Sequence, residues 1–411
     1  MAILLVSPFI DRDSVGEPRW CYDLAKALSD RAETVVVSQT PRNRDYRIAD
    51  LLPNSKVYEH MPWQLDMLPK RLHALIKPNY LKFYWKARAD IEEVREKHNI
   101  ACAHHFGPLA LRYPTPLREF DLPYVIGPLG GSLPTPSAFR TEHARQPWYY
   151  RLRDVDGMRF RHDPWLRSSY ERAACVVGVG DYVGEEVLSG VSLRRFETYS
   201  EIAAKPPAEG AEAVLASRAD RRGPTRLLIV SRLIFSKGVQ YALRAAAALP
   251  QDISWTIDIL GDGPMRADLE RLAASLGIAE QVTFRGFVTR ARVEEFYRAA
   301  DVFLFPSIRE PSGAVIFEAM SWGLPMIAAH YGGPAAHIAP EFGIRVPIAS
   351  ESGFVNGLTN GIAELSRSSD KRLNMGRAAL AAAEQRHSMF AMVEFYLDLY
   401  RRVGRGTSCK R

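Results

Sequence analysis

The sequence predicts an α/β protein with two domains, each built on a parallel β-sheet. The length of 411 residues suits two or three domains. Short apolar runs alternate with helical segments through both halves, and residues 202–224 are rich in Ala, Pro, Gly and charge, as at a domain boundary. We expect a first domain over 1–205, a linker over 206–223, a second domain over 224–390, and a C-terminal helix and tail over 391–411. Whether that helix crosses back to the first domain stays open.

The strands of the first half are indicated by β-branched or apolar runs, and a helix opens at Glu17-Pro18 because proline suits the first helical turn. We predict strands at Ile3–Val6, Thr34–Val37, Ala101–Phe106, Tyr124–Ile126 and Cys175–Val179.

The second half repeats the same rhythm of strand, loop and helix. We predict strands at Arg226–Val230, Thr256–Leu260, Val282–Phe284, Val302–Phe305 and Met326–Ala329. Two Rossmann-like domains facing a central cleft follow from this order, with ligands at the carboxyl ends of the strands.

The composition excludes several classes of protein. A hydrophobic fraction of 47% and a charged fraction of 25% exclude a mostly disordered chain. No apolar run is long enough to span a bilayer, and the first residues lack the basic start of a signal peptide. The four cysteines are far apart, which favours a reducing cytoplasm over a disulfide framework. The net charge of +7 suits anionic partners, but no nucleic-acid-reading motif is present, so nucleic acid is not an expected partner.

A loop between a strand and a helix, Ser231–Gly238, carries two cations at a strand end. Arg232 and Lys237 there fit a clamp on a diphosphate, because helix N-termini alone add only about 0.3–1 kcal/mol and charge-assisted hydrogen bonds add about 1.5–3 kcal/mol each. The alternative is two solvated surface cations. Gly261 begins a Gly-Asp-Gly-Pro turn after another strand.

Two glutamates eight positions apart flank the start of a predicted helix. Glu310 lies in the loop and Glu318 within the helix, and the small Gly313 and Ala314 at its start would let backbone N–H groups approach a phosphate. We expect Glu318 to contact a ribose and Glu310 a sugar. The alternative is acidic residues favoured by the helix dipole.

The second half of the sequence resembles the donor half of family 4 retaining glycosyltransferases. The resemblance rests on a series of motifs in this order: Arg232…Lys237-Gly, Gly-Asp-Gly-Pro, Phe-Arg-Gly, Pro306-Ser, Glu-x7-Glu, Gly-Leu-Pro-Met-Ile-Ala and Gly332-Gly333. These are glycosyl transferases of group 1 with the GT-B fold, and Gly127-Pro-Leu-Gly-Gly resembles their bacterial polysaccharide type. The resemblance implies catalytic roles for Glu310, His105, Arg232 and Lys237. It implies donor binding by Gly16, Arg232, Lys237, Gly261, Phe287, Val288, Glu310, Ser312, Gly313, Ala314, Val315 and Glu318.

The first half resembles this family less. Val15 replaces the first glycine of an expected Gly-Gly pair and Gly16 keeps the second. The family's sugar-contacting histidine matches His105 best, with His104 as the rival. A pair of Asp-x-Asp motifs, Asp11/Asp13 and Asp154/Asp156, lies outside the donor half, so we interpret them as loop acids and expect no metal and no other cofactor.

The resemblance implies a metal-independent hexosyltransferase that moves a sugar from a UDP- or GDP-sugar to an acceptor hydroxyl with retention. The expected setting is exopolysaccharide, lipopolysaccharide or glycolipid biosynthesis, with a sugar or lipid-linked acceptor. Front-side attack and double displacement both remain open. The competing hypotheses are a GT-B-fold nucleotide-sugar epimerase and a non-catalytic nucleotide-sugar-binding protein.

A membrane surface is a further expected partner. Residues 67–89 contain Lys or Arg at 70, 71, 77, 82, 86 and 88, no acidic residue, and interleaved aromatics. Such helices bind anionic membrane surfaces, while the alternative is a solvated helix with its aromatics packed inward. We expect a cytoplasmic protein, with peripheral binding to the inner face of the cell membrane as an option.

Overall fold

The computed structural model describes residues 2–40, 44–61, 79–139 and 162–405. The chain divides into two compact units. The described part of the first unit is 2–40, 44–61, 79–132, 162–201 and 389–405, and that of the second is 133–139 and 202–388.

The first unit contains a seven-stranded parallel sheet in the order β3-β2-β1-β4-β5-β6-β7. The strands are β1 (Ala2–Ser7), β2 (Thr34–Gln39), β3 (Ser55–His60), β4 (Ile100–His105), β5 (Tyr124–Leu129), β6 (Cys175–Gly178) and β7 (Phe196–Thr198). Residues of β1, β2 and β5 are buried throughout, as expected for the central strands of a sheet covered on both faces.

The α-helices of this unit are α1 (Glu17–Ser29), α2 (Ile48–Leu51), α3 (Asn79–Lys97) and α4 (Pro164–Glu171), and the last helix of the chain, α13 (Met389–Arg405). Helix α13 packs on α1 and on strand β4. Its Tyr400 hydroxyl lies 2.6 Å from Nδ1 of His104, so the end of the chain completes the core of the first unit.

The second unit contains a six-stranded parallel sheet in the order β10-β9-β8-β11-β12-β13. The strands are β8 (Thr225–Val230), β9 (Trp255–Leu260), β10 (Val282–Gly286), β11 (Val302–Phe305), β12 (Met326–Ala329) and β13 (Gly343–Val346). The helices are α5 (Ala211–Ala219), α6 (Val239–Ala247), α7 (Arg266–Ser275), α8 (Arg290–Ala299), α9 (Ala314–Ser321), α10 (Gly333–His337), α11 (Glu351–Arg367) and α12 (Ser369–Gln385).

Each sheet follows the doubly wound order, in which the chain moves outward from a central strand and then reverses. The reversal lies between β1 and β4 in the first unit and between β8 and β11 in the second. The predicted α/β class with two Rossmann-like sheets is confirmed. Within the described ranges, no helix is long and apolar enough to cross a bilayer.

Candidate active site

The carboxyl ends of β8 and β11 meet in the second unit because the two strands are parallel neighbours, with Val302 beside Leu227 and Phe303 beside Leu228. The loops that leave these two ends are 231–238 and 306–313. Since the strand order reverses here, this edge is where an open α/β sheet offers a crevice to ligands.

Gly238 lets the β8 loop approach the end of β11 closely. It has φ of +70°, and a Cβ atom at this position would lie 1.9 Å from the carbonyl oxygen of Pro306, so only glycine fits. The hydroxyl of Ser307 donates to the carbonyl of Ser236 at 3.1 Å, and the N–H of Ile308 donates to the same oxygen at 3.0 Å. The Lys237 loop is therefore fixed to the β11 loop by backbone contacts.

Lys237 and Glu310 form a direct ion pair across these two loops. Their side chains are only 16% and 14% exposed, and the Lys237 ammonium lies 5.9 Å from the Phe305 ring centre. Electrostatic interactions are stronger in such a partly desolvated place than in water. Arg232, in contrast, is exposed and has no partner within the described part of the chain, so its guanidinium is available to a ligand.

The Gly332-Gly333 pair, at the end of β12, supports the Glu310 loop from the other side. A Cβ atom on Gly332 would lie 2.4 Å from the Glu310 carbonyl oxygen, and one on Gly333 would lie 2.3 Å from that of Ser312. The Gly333 N–H also donates to the Glu310 carbonyl at 2.8 Å. The backbone of the catalytic candidate is thus held by a position that tolerates no side chain.

A short segment from the middle of the chain, 133–139, lies with the second unit. Arg309 donates to the carbonyl of Leu133 at 2.8 Å, and the Tyr331 hydroxyl donates to that of Pro134 at 3.1 Å. The Phe139 ring packs edge-on against Tyr241 in the core. This segment therefore braces the residue next to Glu310.

Two helices begin at this edge without a side-chain cap. Helix α6 begins after Gly238 and α9 begins after Gly313, which has φ of +92°. Ala314 is exposed, and Ser312 and Val315 are partly buried. Uncapped helix N-termini leave backbone N–H groups for an anion. Helix α6 starts directly after the loop of Lys237, and helix α9 starts directly after the loop of Glu310.

Glu318 lies one helical turn into α9 and lines a pocket of about 330 Å³. The Tyr297 hydroxyl donates to its carboxylate (Oε2) at 3.0 Å. Tyr297 is only 1% exposed, and burial first, with the Glu318 charge second, raises its pKa well above the usual value. It therefore remains a neutral donor that orients Glu318. Arg290, at the start of α8, lines the same pocket.

The ends of β9 and β10 complete the edge. A Cβ atom on Gly261 would lie 1.9 Å from the Ser231 carbonyl oxygen, so this glycine lets its turn pack against the loop of Arg232. Phe287, after β10, is 89% exposed, while Val288 packs on the core. A phenylalanine held in solvent at a strand end is suited to contact a planar ligand group.

His105 and Gly16 occupy the corresponding edge of the first unit. His105 ends β4 and pairs with Val6 of the neighbouring β1. Its ring is parallel to that of Tyr80, with centres 6.4 Å apart, and neither ring nitrogen meets a hydrogen-bond partner of good geometry within the described residues. Burial, then the neighbouring His104, lowers its pKa to about 3. Gly16 has φ of +72° and precedes α1, with open space at its Cβ position.

His104, the rival of His105, is committed to the core. Its two ring nitrogens lie 2.6 Å from the Tyr400 hydroxyl and 2.7 Å from the Gly127 carbonyl oxygen. Burial lowers its pKa to about 3. The structure thus leaves His105 as the histidine whose nitrogens have unused hydrogen-bonding capacity.

The structure brings Lys237 and Glu310 into contact, and Arg232 lies on the same loop as Lys237. Glu318 lines a pocket whose lining includes none of these three residues. Tyr297 was missed by sequence reasoning, because a tyrosine within an amphipathic helix carries no signal of its partner. Asp11 forms an ion pair with Arg44, as a loop acid does, and Asp154/Asp156 lie outside the described residues. Within the described residues, no group of three or more His, Cys, Asp or Glu is arranged to hold a metal ion.

Comparison with known proteins relates most of the second half of the chain to one protein family. Residues 215–381 match the family described as Glycosyl transferases group 1. The chain is 31% identical over 189 residues to the lipopolysaccharide core biosynthesis glycosyltransferase LpsD of Rhizobium meliloti, covering 45% of this chain and 53% of that protein. The chain spans about a quarter to a half of the length of the curated relatives it matches.

Solved structures match almost the whole chain. Sucrose-phosphate synthase from Thermosynechococcus elongatus is 19% identical with a TM-score of 0.61, covering 98% of this chain and 99% of that one. Anabaena Alr3699/HepE, in complex with UDP and glucose, is 19% identical with a TM-score of 0.56, covering 97% and 98%. At this identity the likeness shows the fold. The expected resemblance to group 1 glycosyltransferases and the GT-B fold are confirmed, while membership of family 4 stays a prediction.

Proposed function

We propose that this protein is a retaining glycosyltransferase, because part of the chain matches the group 1 glycosyltransferases and the chain has a GT-B fold. It transfers a hexosyl group from a nucleotide-diphosphate sugar to the oxygen of an acceptor hydroxyl, and it releases the nucleoside diphosphate and the hydroxyl proton. The observation that carries the proposal is the Lys237–Glu310 ion pair at the carboxyl ends of β8 and β11. Arg232, on the same loop as Lys237, is exposed and has no side-chain partner among the residues that the structure describes.

The diphosphate leaving group explains the cations. Negative charge grows on the diphosphate as the bond between the anomeric carbon and the phosphate oxygen breaks. Arg232, Lys237 and the uncapped starts of α6 and α9 are fixed positive groups that stabilise this charge more in the transition state than in the ground state. This chemistry needs no metal ion, so we propose that activity is unchanged by EDTA.

We assign the carboxylate of Glu310 to a contact with the hydroxyls of the transferred sugar. It forms an ion pair with Lys237. When a diphosphate engages Lys237, we expect the carboxylate to turn to the sugar hydroxyls. Glu318 binds the ribose diol through the face that Tyr297 leaves free, and Ala314 and Val315 offer backbone N–H groups to phosphate. His105, neutral because its pKa is about 3, is proposed to accept or donate one hydrogen bond to the sugar.

The descriptions of matched proteins support our proposal for the nucleotide and the acceptor. The Anabaena structure holds UDP and glucose, which favours a UDP-sugar over a GDP-sugar as the donor. LpsD of Rhizobium meliloti acts in lipopolysaccharide core biosynthesis, and another match is an alpha-monoglucosyldiacylglycerol synthase from Streptococcus pneumoniae. We propose a glycan or lipid-linked acceptor in lipopolysaccharide, exopolysaccharide or glycolipid synthesis.

Helix α3 supports a location on the inner face of the cell membrane. Tyr80 and Phe83 are buried inward, whereas Leu81 and Trp85, four positions apart, are 50% and 59% exposed on one face. The exposed Lys86 follows Trp85. An aromatic and aliphatic pair flanked by cations suits the interface of an anionic bilayer.

Vesicle flotation tests this location. The wild-type chain should float with vesicles that contain anionic lipid, and the Leu81→Ser/Trp85→Ser variant should remain with the soluble fraction. Phe390, which is 64% exposed on α13, provides the matched control, since Phe390→Ser removes exposed aromatic area elsewhere. The membrane proposal would be contradicted if all three proteins floated equally, or if none of them floated with vesicles of either lipid composition.

A product assay tests the transfer itself. A thermal-shift panel of UDP-, GDP- and ADP-sugars selects the donor, since a ligand at about 100 times its Kd adds ~2.7 kcal/mol of stability. Proton NMR of the product then reports the anomeric configuration. Transfer with retention supports the proposal. A converted donor sugar without any acceptor product would identify an epimerase, and binding without turnover a non-catalytic protein.

A further inference from the structure

A second pocket lies in the first unit, at the amino-terminal edge of its sheet, opposite the carboxyl edge that carries His105. Its volume is about 310 Å³. Tyr124, the first residue of β5, lines it, as do Ala174, which precedes β6, and Arg194 and Arg195, which precede β7. All of these positions are at the amino-terminal edge. Since β5 has six residues, about 20 Å of strand separates this pocket from the carboxyl edge that carries His105.

Four arginines line this pocket, contributed by three separate parts of the chain. Arg172 follows α4, Arg194 and Arg195 precede β7, and Arg402 belongs to the last turns of α13. Asp121 is the one acidic residue of the lining. Like charges that are close together repel each other unless carboxylates or a bound anion balance them.

Two of the four guanidinium groups already have a carboxylate partner. Arg402 forms a two-pronged contact with Glu197, with nitrogen–oxygen distances of 2.7 and 3.1 Å, and Arg195 lies 3.7 Å from the same carboxylate. Arg172 and Arg194 are exposed and have no side-chain partner within the described residues. These two are the groups that remain for a ligand.

Arg172 and Arg194 both act electrostatically on the buried phenol of Tyr124. Burial raises the pKa of Tyr124, and the charges of Arg172 and then Arg194 oppose that rise. All three residues line the same pocket. Guanidinium is planar and donates paired N–H groups, a geometry that fits phosphate oxygens. The pocket also has an apolar floor, because Phe120 and Tyr124 are almost fully buried within it.

We propose that this pocket binds a phosphate group, carried by a small organic phosphate or by a lipid headgroup, through Arg172 and Arg194. The site is separate from the proposed donor site, which lies in the second unit. It gives the enzyme a second anion site that takes no part in the breaking of the sugar–phosphate bond.

Calorimetry in phosphate-free buffer tests this with pyrophosphate as the soluble probe. Because the donor site also binds a diphosphate in our account, titrations are compared between Arg232→Ala/Lys237→Ala, Arg172→Gln/Arg194→Gln, and a control, Arg222→Gln/Arg292→Gln, which removes two exposed arginines elsewhere. We expect the donor-site variant and the control to keep pyrophosphate binding at the pocket. The Arg172→Gln/Arg194→Gln variant should lose about tenfold or more in affinity for this second site.

Vesicles distinguish the source of the phosphate. The same proteins are mixed with phosphatidylcholine vesicles, with and without phosphatidic acid. Loss of pyrophosphate binding in Arg172→Gln/Arg194→Gln alone supports a soluble ligand, and loss of vesicle binding in that variant supports a headgroup. The proposal is overturned if neither probe binds, or if the control variant loses as much as the pocket variant. Neither result bears on nucleotide binding, so failure here is distinguishable from failure of the proposed function.

Discussion

Tyr297→Phe removes one hydroxyl that we assign to orienting the ribose-binding carboxylate. Tyr297 donates to Glu318 at 3.0 Å from a position that is 1% exposed, so phenylalanine can occupy the same space without a cavity. The change therefore isolates a hydrogen bond. Tyr297 is a positioning residue, because it touches Glu318 and not the reacting atoms.

The magnitude follows from the surroundings of the hydrogen bond. A hydrogen bond to a charged group contributes about 1.5–3 kcal/mol when it is fully buried. Glu318 is only partly buried and lines an open pocket, so water replaces part of the lost contact. We expect nucleotide affinity to fall by about 1 kcal/mol, which is about fivefold in Kd.

Calorimetric titration with the donor nucleotide and with its 2′-deoxy analogue is the assay. Tyr297→Phe should weaken the ribonucleotide about fivefold and the deoxynucleotide by less than about twofold, because the latter lacks the hydroxyl that Glu318 binds. Tyr396→Phe is the matched control, as its buried hydroxyl has no partner within the described residues. Unchanged affinity for both nucleotides would refute the orienting role of Tyr297, and equal weakening of both would show that its effect does not pass through the ribose hydroxyls.

The other variants test the diphosphate clamp, the sugar contact and the buried histidines. Arg232→Ala and Lys237→Ala should each abolish turnover and weaken nucleotide binding by ~1.5–3 kcal/mol; unchanged affinity in calorimetry would refute the clamp. Glu310→Gln should lower kcat far more than it changes nucleotide Kd, and a loss confined to Kd would contradict its contact with the sugar. Burial lowers the pKa of His104 and His105 from 6.5 to about 3, so the unfolded chain binds more protons between these values and stability is lost as pH falls through this range. Each histidine should lower the free energy of unfolding by on the order of 1 kcal/mol between about pH 7.5 and 5.5, and urea unfolding of His105→Asn should show a correspondingly smaller pH dependence.

Strands at the centre of each sheet were predictable from sequence. The apolar runs at Ile3 and Leu227 lie in β1 and β8, where burial on both faces demands continuous hydrophobicity. Strands β3, β7 and β13 were not predicted. Each is an edge strand with mixed burial, as in Ser55–His60, so its sequence does not differ from that of a polar loop.

The candidate site was predictable where a motif lies at a strand end. Loop residues such as Lys237 and Glu310 could be placed near each other because parallel strands bring their carboxyl ends to one edge. Contacts between distant segments could not be predicted. The bond from Tyr297 to Glu318, and the packing of Leu133 near the Glu310 loop, depend on three-dimensional geometry that no spacing in the sequence encodes.

Diffraction from a crystal soaked with the donor nucleotide diphosphate tests the central claim most directly. We predict density for one molecule, with its diphosphate oxygens within about 3.2 Å of the Arg232 and Lys237 side-chain nitrogens and its ribose hydroxyls at the same distance from Glu318. Density at another place on the chain, or a nucleotide that reaches only one of these three side chains, would contradict the account.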